Sequence, residues 1–241
     1  MPRSLFRTPV ATVLLVLGTS LGHAEVITVV GYDSTNPNAN PNDPAPDLPA
    51  AEAAASVVAR DLARGPGVIP NAGVTFNSRN WSTDNNFSPT SDRFISWGWS
   101  QSDALDLTDM TLEYDRSNDG PESLVIRLSV NGGSFVDIFS DPFISIGDEQ
   151  ATIGLDGFDD VTSAEFRLYG FRANSAGGTL DIERFNTDQI NEPSRAIVVR
   201  GQFATVPEPG SVAVLVMVGA GTWLGRRRRL KSQLDFPGEE T

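Results

Sequence analysis

Apolar and polar residues alternate along much of this chain with a period of two. At that spacing a strand shows one face to a core and the other to solvent. Ser123 to Val130 (SLVIRLSV) alternates, reaches Asn131-Gly132-Gly133, and is followed by Ser134 to Phe139 (SFVDIF). Two apolar runs around an Asn-Gly pair predict a hairpin, because both residues tolerate the positive φ of a tight turn. Glu25–Tyr32, Arg93–Ser100, Met110–Asp115, Ala151–Leu155, Ala164–Phe171, Thr179–Phe185 and Ala196–Phe203 are β-branched, aromatic or alternating, and read as further strands. No convincing helical period occurs between Val68 and Phe203. Short strands with turn residues between them predict an all-β, jelly-roll-like antiparallel β-sandwich.

Two stretches depart from this pattern. Asp33 to Pro49 (DSTNPNANPNDPAPDLP) has almost nothing to bury and is expected to be a mobile loop, 33–49, within an ectodomain spanning 25–205. Ala50 to Arg64 is ambiguous. Its Ala-rich half favours helix, whereas Ser56 to Leu62 (SVVARDL) could equally be a strand ended by Gly65-Pro66-Gly67.

Both ends carry apolar runs of another kind. Met1 to Arg7 holds two arginines and no acid, Val10 to Leu21 is largely apolar, and Gly22-His23-Ala24 ends in small residues. This is the layout of a secretory signal peptide, residues 1–24, removed by signal peptidase. Near the other end, Gly210 to Gly225 is apolar and would span about 24 Å as a helix, against the ~30 Å of a hydrocarbon core. Arg226, Arg227, Arg228 and Arg229 follow it. Arginines can snorkel, and they set that end on the cytoplasmic side. The pattern predicts a transmembrane helix over 211–225 and a short cytoplasmic tail over 232–241.

Composition narrows the chemistry. His23 is the single histidine and leaves with the signal, and cysteine is absent. Ser-His-Asp and Cys-His nucleophilic sites are thereby excluded, as are Cys/His zinc sites. Between Glu25 and Val206 there are 27 acidic residues and 11 arginines, a formal charge of 11 − 27 = −16. Such a surface repels phosphate backbones, so no nucleic-acid partner is expected.

The tail carries a more specific signal. Pro207-Glu208-Pro209, a short apolar span and an arginine cluster, in that order over 206–231, resemble the PEP-CTERM sorting signal of Gram-negative bacteria. The resemblance implies an exosortase as processing enzyme. It also implies a transient stay in the inner membrane, then delivery to the cell envelope surface or an extracellular, exopolysaccharide-containing matrix. The chain departs from the family pattern by continuing from Leu230 to Thr241. A second resemblance rests on DLARGPG, TFNSRNWS, SLVIRLSVNGG and EFRLYGFRANSAGGTLDIERF, which look like the jelly-roll ectodomains common among PEP-CTERM proteins. It implies a strand at Val57 to Leu62.

Within the ectodomain, Trp97 and Trp99 stand two apart on a strand and share a face. Exposed, they would stack on sugar rings; buried, they would fill the core, which is the favoured reading. Trp81, in a Ser/Asn-rich loop, is expected to be the exposed aromatic. Asp115, Ser117 and Asp119 precede Gly120 with the alternation of a calcium loop, but the position of the bidentate Glu is Ile126, and a plain turn is favoured. No cofactor is implied beyond a possible structural calcium ion. The reading reached from sequence is a non-enzymatic exported protein with a structural, adhesive or polysaccharide-binding role. A carbohydrate-active enzyme using paired carboxylates and a permanently tethered surface binding module are the alternatives.

Overall fold

A computed structural model describes residues 25–38, 40, 42–184 and 195–203. The expected signal peptide (1–24), the expected sorting motif Pro207-Glu208-Pro209, the expected 211–225 span and Arg226 to Arg229 lie outside the described residues. The described chain is all-β, with twelve strands and no helix: β1 (Ile27–Tyr32), β2 (Glu52–Ala53), β3 (Val58–Arg64), β4 (Ile69–Pro70), β5 (Phe76–Arg79), β6 (Ile95–Arg116), β7 (Ser123–Val130), β8 (Val136–Asp141), β9 (Gly147–Gly154), β10 (Val161–Phe171), β11 (Thr179–Ile182) and β12 (Ile197–Phe203). Every strand pairing is antiparallel. The ambiguous Ala50–Arg64 stretch holds no helix and forms β2 and β3 with a turn at 55–56 between them.

The main departure from expectation is β6. Sequence separates Arg93–Ser100 from Met110–Asp115, yet the two are halves of one 22-residue strand. Its first half pairs with β3 and β10, and its second half with β9, β11 and β12. The buried positions are odd at first (Ile95, Trp97, Trp99, Leu105, Leu107) and then even (Met110, Leu112, Tyr114). The parity flips beside a register shift between Arg200 and Gly201 of β12, which face Asp109 and Leu107. A single extra residue turns every following side chain to the other face. That flip lets one strand serve two layers: β3, β10, β7 and β8 with its first half, and β9, β11, β12, β1 and β5 with its second.

Side chains between the layers hold them together. The Tyr32 hydroxyl on β1 donates to the Arg60 carbonyl oxygen of β3 at 2.6 Å and accepts the Gly98 N–H of β6 at 3.3 Å. Burial pushes this phenol up to about 12, so it stays a donor at any physiological pH. Arg64 of β3 reaches β5, donating from Nε to Ser78 Oγ at 2.8 Å and from Nη2 to the Asn77 carbonyl oxygen at 2.9 Å, and stacks 3.5 Å over the Phe76 ring. Its burial lowers the guanidinium to about 10, which leaves it charged. The core between the layers is one continuous cluster that includes Val29, Phe76, Trp97, Met110, Phe166 and Val199.

The Asn-Gly hairpin forms as expected. Asn131 and Gly132 have φ of 51° and 71°, and the Gly133 N–H donates to the Val130 carbonyl oxygen at 2.8 Å. Positive φ at both central residues is the type I′ geometry. Asn131 also ties the turn to β10, because its Oδ1 accepts the N–H groups of Thr162 and Ser163 at 2.8 and 3.1 Å. The Pro/Asn-rich stretch expected to be mobile is irregular, but its described residues are anchored. Asn36 Nδ2 donates to the carbonyl oxygens of Gly73 (2.7 Å) and Asp43 (2.8 Å), while Ala45 and Leu48 are buried and Leu48 bridges Leu62.

Candidate functional site

β10 positions the first candidate surface. Its even residues Ala164, Phe166 and Leu168 face the core, so Glu165, Arg167, Tyr169 and Phe171 lie on the outer side. Arg167 stands directly opposite Arg127 of β7. Two like charges across a ladder repel unless they are compensated. Here Glu165 pairs with Arg167 at 2.6 Å and Asp137 with Arg127 at 2.7 Å. Aromatic rings complete the compensation. The Arg167 guanidinium lies 4.3 Å from the Phe135 ring centre and 4.6 Å from that of Phe94, and Arg127 lies 5.8 Å from that of Phe87.

The loop between β5 and β6 folds over one end of this face. Its backbone is tied to the end of β10 by Arg172 N–H to the Asp84 carbonyl oxygen (3.0 Å) and Ala173 N–H to that of Ser82 (2.9 Å). Phe87 from the loop packs edge-on against Tyr169, centroids 5.3 Å apart, and 6.1 Å from Phe171. Tyr169 is buried beneath, whereas Phe87 and Phe171 remain partly open to solvent. Between loop and strand lies a cleft of about 160 Å³ lined by these three rings, Asp84, Arg93 and the hydroxyl-bearing Ser82, Ser88, Thr90 and Ser91. That is below the ~300–1,000 Å³ of drug-sized sites and suits a single small polar unit. Arg93 Nη1 donates to the Trp81 carbonyl oxygen at 3.1 Å, which aims the guanidinium while leaving most of its N–H groups unused. Ser82 Oγ donates to Asp84 Oδ2 at 3.0 Å. A carboxylate acceptor, a guanidinium donor and an aromatic floor thus converge in one cleft.

The second candidate lies on the outer face of the other layer. Cross-strand register sets Asp181 of β11 directly opposite Asp115 of β6, and Asp115 opposite Asp148 of β9. Oxygens of Asp115, Asp181 and Glu183 lie within 4.8 Å of one another. Asp181 is the most affected. Burial first, then the charges of Glu183 and Asp115, push its carboxyl up to about 7, against the opposing effects of the Thr75 hydrogen bond and Arg64. Asp115 and Glu183 are raised as well, each chiefly by burial, with Asp148 adding to both and Asp115 adding to Glu183. Asp181 Oδ1 and the Oδ1 of Asn77, opposite it on β5, are both buried without a hydrogen-bond partner. These oxygens are the donors that could hold a divalent cation.

The structure corrects one sequence expectation and decides two open ones. Trp81, expected to be exposed, is fully buried at 0 %, its Nε1 donating to the Ser78 carbonyl oxygen at 2.9 Å. Trp97 and Trp99 take the favoured core reading, at 1 % and 0 %, with Trp97 stacked on Phe166 at 5.4 Å and 1°. None of the three offers a ring face to a sugar. Ser117 to Gly120 form the favoured plain turn, the Gly120 N–H donating to the Ser117 carbonyl oxygen at 3.0 Å, while Asp115 is still within β6 and gathers with Asp181 and Glu183. Ser117 Oγ instead accepts the Thr179 N–H at 2.9 Å, and the Asp119 carbonyl oxygen accepts that of Asn174 at 3.1 Å. The partly open rings Phe87 and Phe171 were missed. In AEFRLYGF the core residues are the even ones, so Tyr169 and Phe171 are aromatics at outward positions, a signal present in the alternation itself.

No family model and no curated protein matches this chain. Solved structures similar to it include a family 29 carbohydrate-binding module (TM-score 0.37, 8 % identity, 73 % of this chain and 89 % of that one). A mutant of the module CBM29-2 complexed with mannohexaose matches with TM-score 0.38 and 8 % identity over 74 % of this chain and 92 % of that one. A GH26-CBM35 beta-(1,4)-mannanase from Podospora anserina matches with TM-score 0.30 and 12 % identity, covering 64 % of this chain and 29 % of that one.

Proposed function

We propose that this chain is a non-enzymatic, polysaccharide-associated module of the cell envelope or its matrix, built on a jelly-roll-like sandwich. The observation that carries the reading is the cleft between loop 82–93 and β10, where Phe87 and Phe171 sit beside the Asp84 acceptor and the Arg93 donor. Sugars present apolar C–H faces and a rim of hydroxyls that both donate and accept. Partly exposed rings bind the first, and a carboxylate with a guanidinium binds the second. The site needs no histidine, thiol or lysine, and the exported region contains none.

Affinity electrophoresis of the purified protein through gels containing soluble polysaccharides tests this reading. Retardation is expected, and Phe87→Ala is expected to weaken it about tenfold, equivalent to ~1.4 kcal/mol, at an unchanged melting temperature. Retardation that Phe87→Ala leaves untouched would overturn the assignment of the cleft.

Export and sorting are part of the same proposal. The order Pro207-Glu208-Pro209, apolar span and Arg226 to Arg229 supports an exosortase substrate held first in the inner membrane and then released. The intact mass of protein recovered from the cell surface is expected to lack both residues 1–24 and the arginine cluster. A full-length C-terminus at the surface would favour permanent tethering instead.

A further inference from the structure

We propose that the glycan taken by this cleft is electrically neutral, its hydroxyls shared between Asp84 and Arg93, and that polyanionic polysaccharides are rejected. The inference rests on the reading of the cleft as a sugar site and adds the class of sugar.

Charge is distributed unequally over the two outer faces. Along β7 and β10 each of four arginines has an acidic partner: Arg60 and Arg167 share Glu165, Arg127 pairs with Asp137, and Arg172 with Glu122. Arg93 and Asp84 both line the cleft, one charge of each sign. The opposite layer is different. Asp109, Glu113, Asp115, Asp148 and Asp181 lie on its outer face, and Arg200, paired with Asp109 at 2.7 Å, is set among them. The outer face of that layer therefore carries a net negative charge, whereas the two charged residues lining the cleft, Asp84 and Arg93, are of opposite sign.

This arrangement discriminates by chemistry. A uronate or sulfate entering the cleft gains Arg93 but must sit beside the Asp84 carboxylate, whose like charge opposes it. A polyanion also approaches a body of formal charge −16 over Glu25 to Val206, which lowers its encounter rate. A neutral hexose meets neither penalty. One hydroxyl donates to Asp84 while its neighbour accepts from Arg93, and a C–H face rests on Phe87 and Phe171. Binding made of such contacts has little long-range electrostatics and little dependence on salt.

The test measures binding of the full protein to neutral polysaccharides (a galactomannan and a β-glucan) and to polyuronates (alginate and polygalacturonate), at 20 and 500 mM NaCl. At least one neutral polymer is expected to bind, with less than a twofold change in affinity between the two salt concentrations and no comparable polyuronate binding. Asp84→Asn and Arg93→Gln are each expected to weaken the neutral interaction at least tenfold with melting temperatures unchanged. Polyuronate binding that collapses at 500 mM NaCl and is lost in Arg93→Gln would overturn the neutral assignment while leaving the cleft a glycan site. Absence of binding to every polymer would overturn the sugar reading itself. Neutral binding unaffected by either substitution would move the site away from the cleft.

Discussion

Trp97→Ala is expected to destabilise the protein by about 3–5 kcal/mol while leaving any glycan affinity per folded molecule unchanged. Trp97 is 1 % exposed and lies flat on Phe166, at the centre of the layer formed by β6, β10 and β7. Truncation removes the ring from a close-packed interior and leaves a cavity that β-sheet backbones cannot close. Part of the loss is offset, because the buried Trp97 Nε1 has no hydrogen-bond partner and the variant no longer buries that N–H. The lower end of the range is therefore the closer estimate. Urea denaturation gives the stability, and polysaccharide retention measured below the transition gives the function. Phe87→Ala is expected to reverse the pattern, with near-normal stability and weakened retention. Were Trp97→Ala to abolish retention at wild-type stability, the ring would be acting as a sugar platform and the core assignment would fail.

The second large effect concerns pH. Asp181 titrates at about 7 in the folded protein and near 3.8 in the unfolded chain. Between these values the folded state binds more protons than the unfolded one, so stability falls as pH rises. The contribution of the protonated carboxyl is fully present below about pH 4 and is lost as pH passes through 7. Asp181→Asn keeps the shape, removes the charge, and places an amide opposite the unpartnered Asn77 Oδ1. At pH 8 the variant is expected to be more stable than wild type by about 2–4 kcal/mol; at pH 4 the two should nearly coincide. Asp115 and Glu183 are raised in the same direction, so the variant should retain a shallower slope of the same sign. Urea transitions at pH 4, 6 and 8 measure this directly. Parallel pH profiles for variant and wild type would mean that Asp181 ionises normally and that the cluster carries no strain.

The corrections to the sequence reading share a cause. Alternation is a property of a few neighbouring residues, so the strands of β7, β8 and β10 and the turn at Asn131-Gly132 could be read directly. Whether an alternating face is inner or outer depends on what lies across from it. Trp81 illustrates this: its local setting of Ser and Asn suggests a surface, but an Nε1 bond to Ser78 and packing beside Gly170 place it inside. In β6 the polar stretch between Ser100 and Met110 looks like a loop. From Leu105 onward it is strand because β12 supplies hydrogen-bond partners to the backbone as far as Leu112, whatever the side chains are.

What the amino-acid sequence determined by itself is the chemical inventory and the local periodicity: an acidic region from Glu25 to Val206 without histidine, cysteine or lysine, β-strands over most of it, an Asn-Gly hairpin, and terminal segments that resemble export and sorting signals. These follow from composition and from interactions over a few residues. The tertiary structure alone decided which residues meet. Asp115 and Asp181 are 66 positions apart and become neighbours only through the β6–β11 register. The cleft joins residues 82–93 to 169–171, and its floor exists only because loop and strand are packed against each other. Register and packing arise from the whole chain at once, so no window of sequence contains them.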